Sequence, residues 1–158
     1  MVYLDYRCPY CLHFEEANGA LLGELASSGA ATVQLVPLTF LDRVDSTSYS
    51  SRAAGAMACV VDGQPEAAWA AHNALLSAEV QPSESVPGLS NDELIAALDA
   101  AAGGLDPGVR ECVGSERFVP FAQALNDWVF ANSVPNAVEP AQRVTGTPMA
   151  LVNGVVYT

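Results

Sequence analysis

The sequence predicts an α/β domain interrupted by a block of helices. Three observations predict it. A short β-rich run opens the chain and is followed by a helical stretch and a second β-rich run. The middle then turns Ala-rich and helical, and the end returns to two apolar runs around Asn153-Gly154. With 158 residues, 51% of them hydrophobic, the chain can bury one core of its own and reads as globular.

Taken in order, "MVYLDY" reads as a short buried strand. From Pro9 to about Ser27, Leu12, Phe14, Leu21, Leu22 and Leu25 recur at roughly helical spacing. Pro9 suits the first helical position, where its missing N–H would have had no partner anyway, and Gly29 reads as the stop. "ATVQLVPLTFL" reads as a second strand, with Val33, Leu35, Leu38 and Phe40 as its apolar positions. A β–helix–β connection makes these two strands parallel, with a right-handed crossover. Four helix-like stretches follow: "SRAAGAMACVVD", "PEAAWAAHNALLSAE", "SNDELIAALDAAAG" and "SERFVPFAQALNDWVFAN". Ser90 with Glu93 three residues on is a capping-box signature, and Pro/Gly clusters at 82–88 and 103–108 separate the pieces. "TPMALVNGVVYT" is an antiparallel hairpin, because Asn-Gly tolerates positive φ at both turn positions. The expected organisation is a discontinuous α/β domain, 1–44 and 139–158, with an inserted helical domain at 45–138. Trp69, Trp128, Phe118, Phe121 and Phe130 read as the core of that insert, His72 as structural and His13 as a surface residue.

The composition excludes several function classes. The net charge is −12, and all six basic residues are Arg. Nothing here neutralises a row of phosphates, so nucleic acid is not expected, and neither is an anionic membrane surface. The acidic balance reads as a solubilising surface. No apolar window reaches transmembrane length, so no membrane insertion is expected. No basic start leads into an apolar run either, so a targeting segment, if the protein is exported, is expected to lie outside this chain. The four cysteines, Cys8, Cys11, Cys59 and Cys112, form one close pair and two distant singletons. That is not a zinc cage, and no metal or cofactor is expected.

The chemistry concentrates at "CPYC", residues 8–11. The pattern is open to a half zinc site, a structural disulfide or a working dithiol. Pro9 favours a helix start over a metal knuckle. Cys8 then sits at the N-cap, where free N–H groups and the positive end of the helix stabilise a thiolate. Cys11 lies one turn along, within disulfide reach. Cys8 is expected to be exposed and to react with partners, and Cys11 to be more buried and to resolve the mixed disulfide. Far along the chain, "TGTP" places Pro148 where a strand start tolerates proline.

"DYRCPYCLHFEE", the long helical insertion and "TGTPMALVNG" together resemble the DsbA-like branch of the thioredoxin superfamily, most closely its exported, actinobacterial-type members. The resemblance spans nearly the whole chain. It implies a thioredoxin fold with an inserted helical domain. It also implies that Cys8 is the nucleophile and Cys11 its partner, that Thr147 and a cis Pro148 face the dithiol and offer backbone groups to a substrate strand, and that Pro9 and Tyr10 tune the helix end. Similar members carry a second cysteine pair in the insert, so a structural Cys59–Cys112 disulfide is implied, with two free thiols as the alternative. Two departures stand out. An acid often lies six residues before the first cysteine, and Val2 stands there, which leaves Glu15 and Asp5 as the candidates for proton handling. Members also have residues before "MVYLDY" and a final helix after the hairpin, so trimmed ends or a shortened variant are expected. The implied function is an extracytoplasmic thiol–disulfide oxidoreductase, an oxidase acting on unfolded or reduced exported proteins and reoxidised by a membrane partner. A reductase or isomerase, a glutathione-linked isomerase on the same fold, and a non-catalytic binding module are the alternatives.

Overall fold

The computed structural model describes residues 1–157. Among these residues a four-stranded sheet has the order β2-β1-β3-β4. β1 (Val2–Leu4) pairs in parallel with β2 (Leu35–Pro37), joined through α1 (Pro9–Ser27). β3 (Met149–Val152) lies antiparallel to β1, and β4 (Val155–Tyr157) antiparallel to β3. Between β2 and β3 come α2 (Tyr49–Gly63), α3 (Ala68–Leu75), α4 (Asn91–Ala102), α5 (Pro107–Gly114) and α6 (Val119–Ala131). Strand, helix, strand, helical block and hairpin therefore follow the predicted order.

β1 is central and its side chains alternate between two cores. Val2 and Leu4 face a large one with Tyr6, Tyr49, Val60, Leu75, Leu94 and Leu98, whereas Tyr3 joins Val36, Leu38, Val129 and Leu151. The final hairpin turns at Asn153 (φ 49°) and Gly154 (φ 81°), the left-handed pair that a two-residue hairpin needs. A Cβ at Gly154 would stand 2.4 Å from the Asn136 carbonyl.

Three expectations need correction. The second strand was expected over 31–41 but spans only Leu35–Pro37. Pro37 has no N–H for a ladder, and the Leu41 N–H turns instead to the Asp5 carboxylate (3.2 Å) as Phe40–Val44 winds into a 3₁₀ turn. The stretch read as a separator around 103–108 runs into a helix, α5, which opens with Pro107 and buries Val109, Cys112 and Val113. Thirdly, not all the aromatics form insert core. Phe121 and Trp128 are 58% and 49% exposed, and Trp69, Phe118 and Phe130 are half-buried. On α6 the buried stripe runs through Ala122 and Val129. Phe121 and Trp128 each precede one of these and so sit about 100° off the stripe. Phe121 and Leu125 instead flank an open apolar groove of about 760 Å³, shared with Pro37, Met57, Trp69 and Phe118.

Two devices hold the helical block. Cys59 on α2 and Cys112 on α5 are disulfide-bonded, with Cα atoms 5.8 Å apart. At the start of α4, Ser90 Oγ accepts from the Glu93 N–H (3.3 Å) and the Glu93 carboxylate accepts from the Ser90 N–H (2.7 Å). This capping box fixes a helix that buries Leu94 and Leu98. Ser90→Ala is expected to lower unfolding stability by about 1 kcal/mol in urea titrations. A loss below a few tenths would show that the packing of α4 alone sets its start.

Candidate active site

Cys8 is the N-cap of α1, with extended backbone (φ −74°, ψ 118°) and Pro9 directly after it. Its carbonyl accepts from the Cys11 and Leu12 N–H groups (3.0 and 3.2 Å), so the dithiol is built into the first turn. Cys8 Sγ lies 3.5 Å from the Thr147 carbonyl oxygen, and the Thr147–Pro148 peptide is cis. The Asp5 N–H points at Cys11 Sγ (3.4 Å). Both thiols are free. Tyr10 is 71% exposed.

Cys8 was expected to be exposed, but it is only 4% accessible, and Cys11 1%. The Thr147–Pro148 segment lies over Cys8 from the far end of the chain. From the other side, Gln81 Nε2 donates to the carbonyls of Tyr6 (3.0 Å) and Cys8 (3.2 Å).

The two thiols are electrically unequal. The hydrogen bond from Cys11 lowers Cys8 to about 6, against the opposing effect of burial, with help from Thr147 and the N–H groups of Cys11 and Tyr10. Donating that bond, and burial, drive the Cys11 thiol far above the ordinary thiol range. At neutral pH the pair thus carries its negative charge on Cys8.

Polar groups below the dithiol fix the strand end. Arg7 Nη1 pairs with Asp45 Oδ2 at 2.6 Å, both side chains being at most 3% accessible. Arg7 Nη2 donates to the carbonyls of Ser83 (3.3 Å) and Val86 (2.6 Å), tying the loop after α3 to the residue before Cys8. Asp5 is fully buried. Burial raises its carboxyl to about 7, although Ser50, the Arg7 N–H and the Leu41 N–H all donate to it. Because the unfolded carboxyl titrates near 4, the folded state holds the extra proton between about pH 4 and 7, and this group's contribution to stability falls as pH rises through that window.

Glu15 is 8% accessible. Its Oε2 lies 3.2 Å from His72 Nε2, and His72 Nδ1 lies 3.1 Å from the Tyr6 hydroxyl. His13 is exposed and pairs with Glu16 at 3.2 Å. Sequence reasoning did not find Arg7, Gln81, Asp45 or the Tyr6–His72 link. An arginine directly before "CPYC", in a chain with so few cations, was the available signal for the first of these. Nothing in the sequence marks Gln81.

Among the described residues, no cluster of three or more His, Cys, Asp or Glu could hold a metal ion. Nor is any helix there long and apolar enough to cross a membrane.

A thioredoxin family model matches residues 1–158. A comparison with curated protein sequences found no match. Among solved structures, a reduced disulfide bond oxidoreductase (DsbG) from Mycobacterium tuberculosis is 31% identical, with a TM-score of 0.83, over 99% of this chain and 68% of that one. Reduced DsbA from the same organism is 30% identical at the same TM-score, over 99% of this chain and 73% of that one. The thiol–disulfide oxidoreductase MdbA from Actinomyces oris shares the fold, with a TM-score of 0.73 and 23% identity over 99% of this chain and 70% of that one. A helix-capping dithiol beside a cis proline, on a mixed sheet interrupted by helices, thus matches solved relatives along almost its entire length, and the chain belongs to the DsbA-like thiol–disulfide oxidoreductases of the thioredoxin superfamily.

Proposed function

We propose that the protein is an oxidase, which passes a Cys8–Cys11 disulfide to thiols of other polypeptides. A substrate thiolate attacks Cys8 Sγ, the Cys8–Cys11 bond breaks, and Cys11 leaves. A second substrate thiolate then attacks the substrate sulfur of the mixed disulfide, and Cys8 departs as a thiolate. The observation that carries this reading is the inequality of the thiols, with Cys8 lowered to about 6 and Cys11 raised. A stabilised thiolate favours the reduced protein and so makes its disulfide form a stronger oxidant. The sign follows from the depressed value. The stabilisation of the reduced folded state is complete above the unfolded thiol's range, near 9, and is lost as pH falls through about 6.

Pro9, Tyr10, Thr147 and Pro148 complete the site in this reading. Pro9 starts the helix, Tyr10 presents an exposed ring beside Cys8, and the Thr147–Pro148 backbone receives an extended substrate segment. The substrates are reduced or unfolded exported proteins, met outside the cytoplasm, and a membrane protein restores the disulfide. The buried Cys59–Cys112 bond supports an oxidising compartment.

Equilibration with a glutathione redox buffer tests the direction of electron flow. A potential near −120 mV is expected, whereas one of about −270 mV would make the protein a reductase. The Cys8 thiolate, followed by its ultraviolet absorbance, should titrate at about 6. Cys11→Ala should accumulate mixed disulfides with substrate polypeptides. If that variant instead turns over at the full rate, the reaction does not cycle a Cys8–Cys11 disulfide, and a thiol-linked isomerase on the same fold becomes the better reading.

A further inference from the structure

The turn before the dithiol and the loop after α3 hold each other through two side chains. From the turn, Arg7 Nη2 donates to the carbonyls of Ser83 and Val86. From the loop, Gln81 Nε2 donates to the carbonyls of Tyr6 (3.0 Å) and Cys8 (3.2 Å), one on either side of Arg7. Both neighbours are acceptors, so only the NH₂ end of this amide fits there, and its two protons serve one oxygen each. The loop holds Gln81 in place for this. Its N–H donates to the Ser77 carbonyl at 2.9 Å, and the buried Pro82 follows it directly. The bond to Tyr6 already ties loop to turn. The bond to Cys8 is the unexpected one, because that carbonyl also accepts from the N–H groups of Cys11 (3.0 Å) and Leu12 (3.2 Å).

Those backbone bonds compete with the sulfur. A residue at an N-cap ordinarily accepts, through its side chain, from the N–H of the second or third helical residue. Here these are Tyr10 and Cys11. Behind the Cys11 thiol, which lowers Cys8 most, Thr147 and the N–H groups of Cys11 and Tyr10 face the sulfur and lower it further. Yet no cap bond forms to the Cys8 side chain, and the Cys11 N–H is held by the Cys8 carbonyl. One proton therefore has two acceptors on the same residue. When Cys8 leaves a mixed disulfide as a thiolate, the charged sulfur becomes the stronger of the two. A buried carbonyl that loses a donor at that moment is costly. Gln81, from outside the helix, keeps this oxygen bonded.

We propose that Gln81 is a positioning residue for the exchange: by donating to the Cys8 carbonyl it frees the Cys11 N–H to turn to the Cys8 sulfur when that sulfur carries charge. Gln81 acts through the Cys8 peptide and not on the reacting atoms. Only hydrogen bonds change partner, and no proton leaves its nitrogen. The inference deepens the proposed reaction and rests on the reading of Cys8 as the reacting thiol.

Gln81→Met keeps the length of the side chain and removes both donors. Its Cys8 thiolate, followed by ultraviolet absorbance, should titrate about one pH unit above that of the wild type. In a glutathione redox buffer at pH 8 its reduced form should be disfavoured about tenfold, which makes the disulfide a weaker oxidant by about 30 mV. The amide proton of Cys11, followed by NMR, should move downfield as Cys8 ionises in the wild type, and should move less in the variant. Should Gln81→Met fail to fold, Gln81→Glu fills the same space and, once ionised, has no proton to give. It should raise the titration at least as far. An unmoved titration in either folded variant would overturn the proposal, and a lowered melting temperature beside it would make Gln81 a tie between loop and turn alone. A raised titration with an unchanged Cys11 amide response would also overturn it. Each readout is a difference from the wild type, whereas trapping by Cys11→Ala and the wild-type potential do not involve Gln81. Failure of this inference and failure of the exchange reading therefore give different results.

Discussion

Arg7→Met is expected to cost about 4 kcal/mol of unfolding stability. Methionine fills much of the same space but leaves Asp45 buried without its cation, and it strips the Ser83 and Val86 carbonyls of their donor. Burial works against the charge on Asp45. The hydrogen bonds from Thr47 and the Tyr49 N–H, together with the Arg7 charge, nevertheless hold its carboxyl below the usual range. A depressed carboxyl supplies stability above its unfolded value that is lost as pH falls through the folded one. The variant should therefore lose most at neutral pH and least in acid. Urea titrations at pH 7 and pH 3 measure this, and the melting temperature at pH 7 should drop by about 10 °C. A loss below about 1 kcal/mol at pH 7 would mean that the Arg7–Asp45 pair and the ties to the loop after α3 add little to stability.

The second large effect is expected from removing the Cys59–Cys112 disulfide. With a sequence separation of 53, the bond closes a long loop, and chain entropy assigns it about 4 kcal/mol. The Cys59→Ala/Cys112→Ala protein should unfold at correspondingly lower urea, while the Cys8 thiolate still titrates near 6, because neither sulfur touches the dithiol. A shift in that titration would show that the clamp between α2 and α5 reaches the first turn of α1. Unchanged stability would place the strength of the helical block in its packing instead.

The parts of the molecule that were legible in the sequence are those whose signals are local. Pro9 after Cys8 marks a helix start because a residue without an N–H belongs there, and the N-cap geometry of Cys8 follows. Asn153-Gly154 marks the hairpin because few other pairs accept two positive φ angles. Ser90 and Glu93 mark the start of α4 for a similar reason. The features that escaped are set by distant neighbours. α5 begins with Pro-Gly, which reads as a turn until Val109, Cys112 and Val113 find a core to enter. The placement of Phe121 and Trp128 on the open side of α6 depends on which face of that helix meets the sheet. The burial of Cys8 comes from residues 147 and 148 and from Gln81. Glu15 was visible as an acid one turn past Cys11, but its partner lies 57 positions away and looked like an ordinary core histidine.

The bond between Cys59 and Cys112 is of the kind that the chemistry proposed for Cys8 and Cys11 would make. Under that proposal a newly made chain would be a client of its finished siblings, and each mature molecule would hasten the maturation of the next. In a reduced pool seeded with oxidised copies, folded enzyme would accumulate with a lag and then accelerate, so that the supply of active protein depends on its own history as well as on its rate of synthesis.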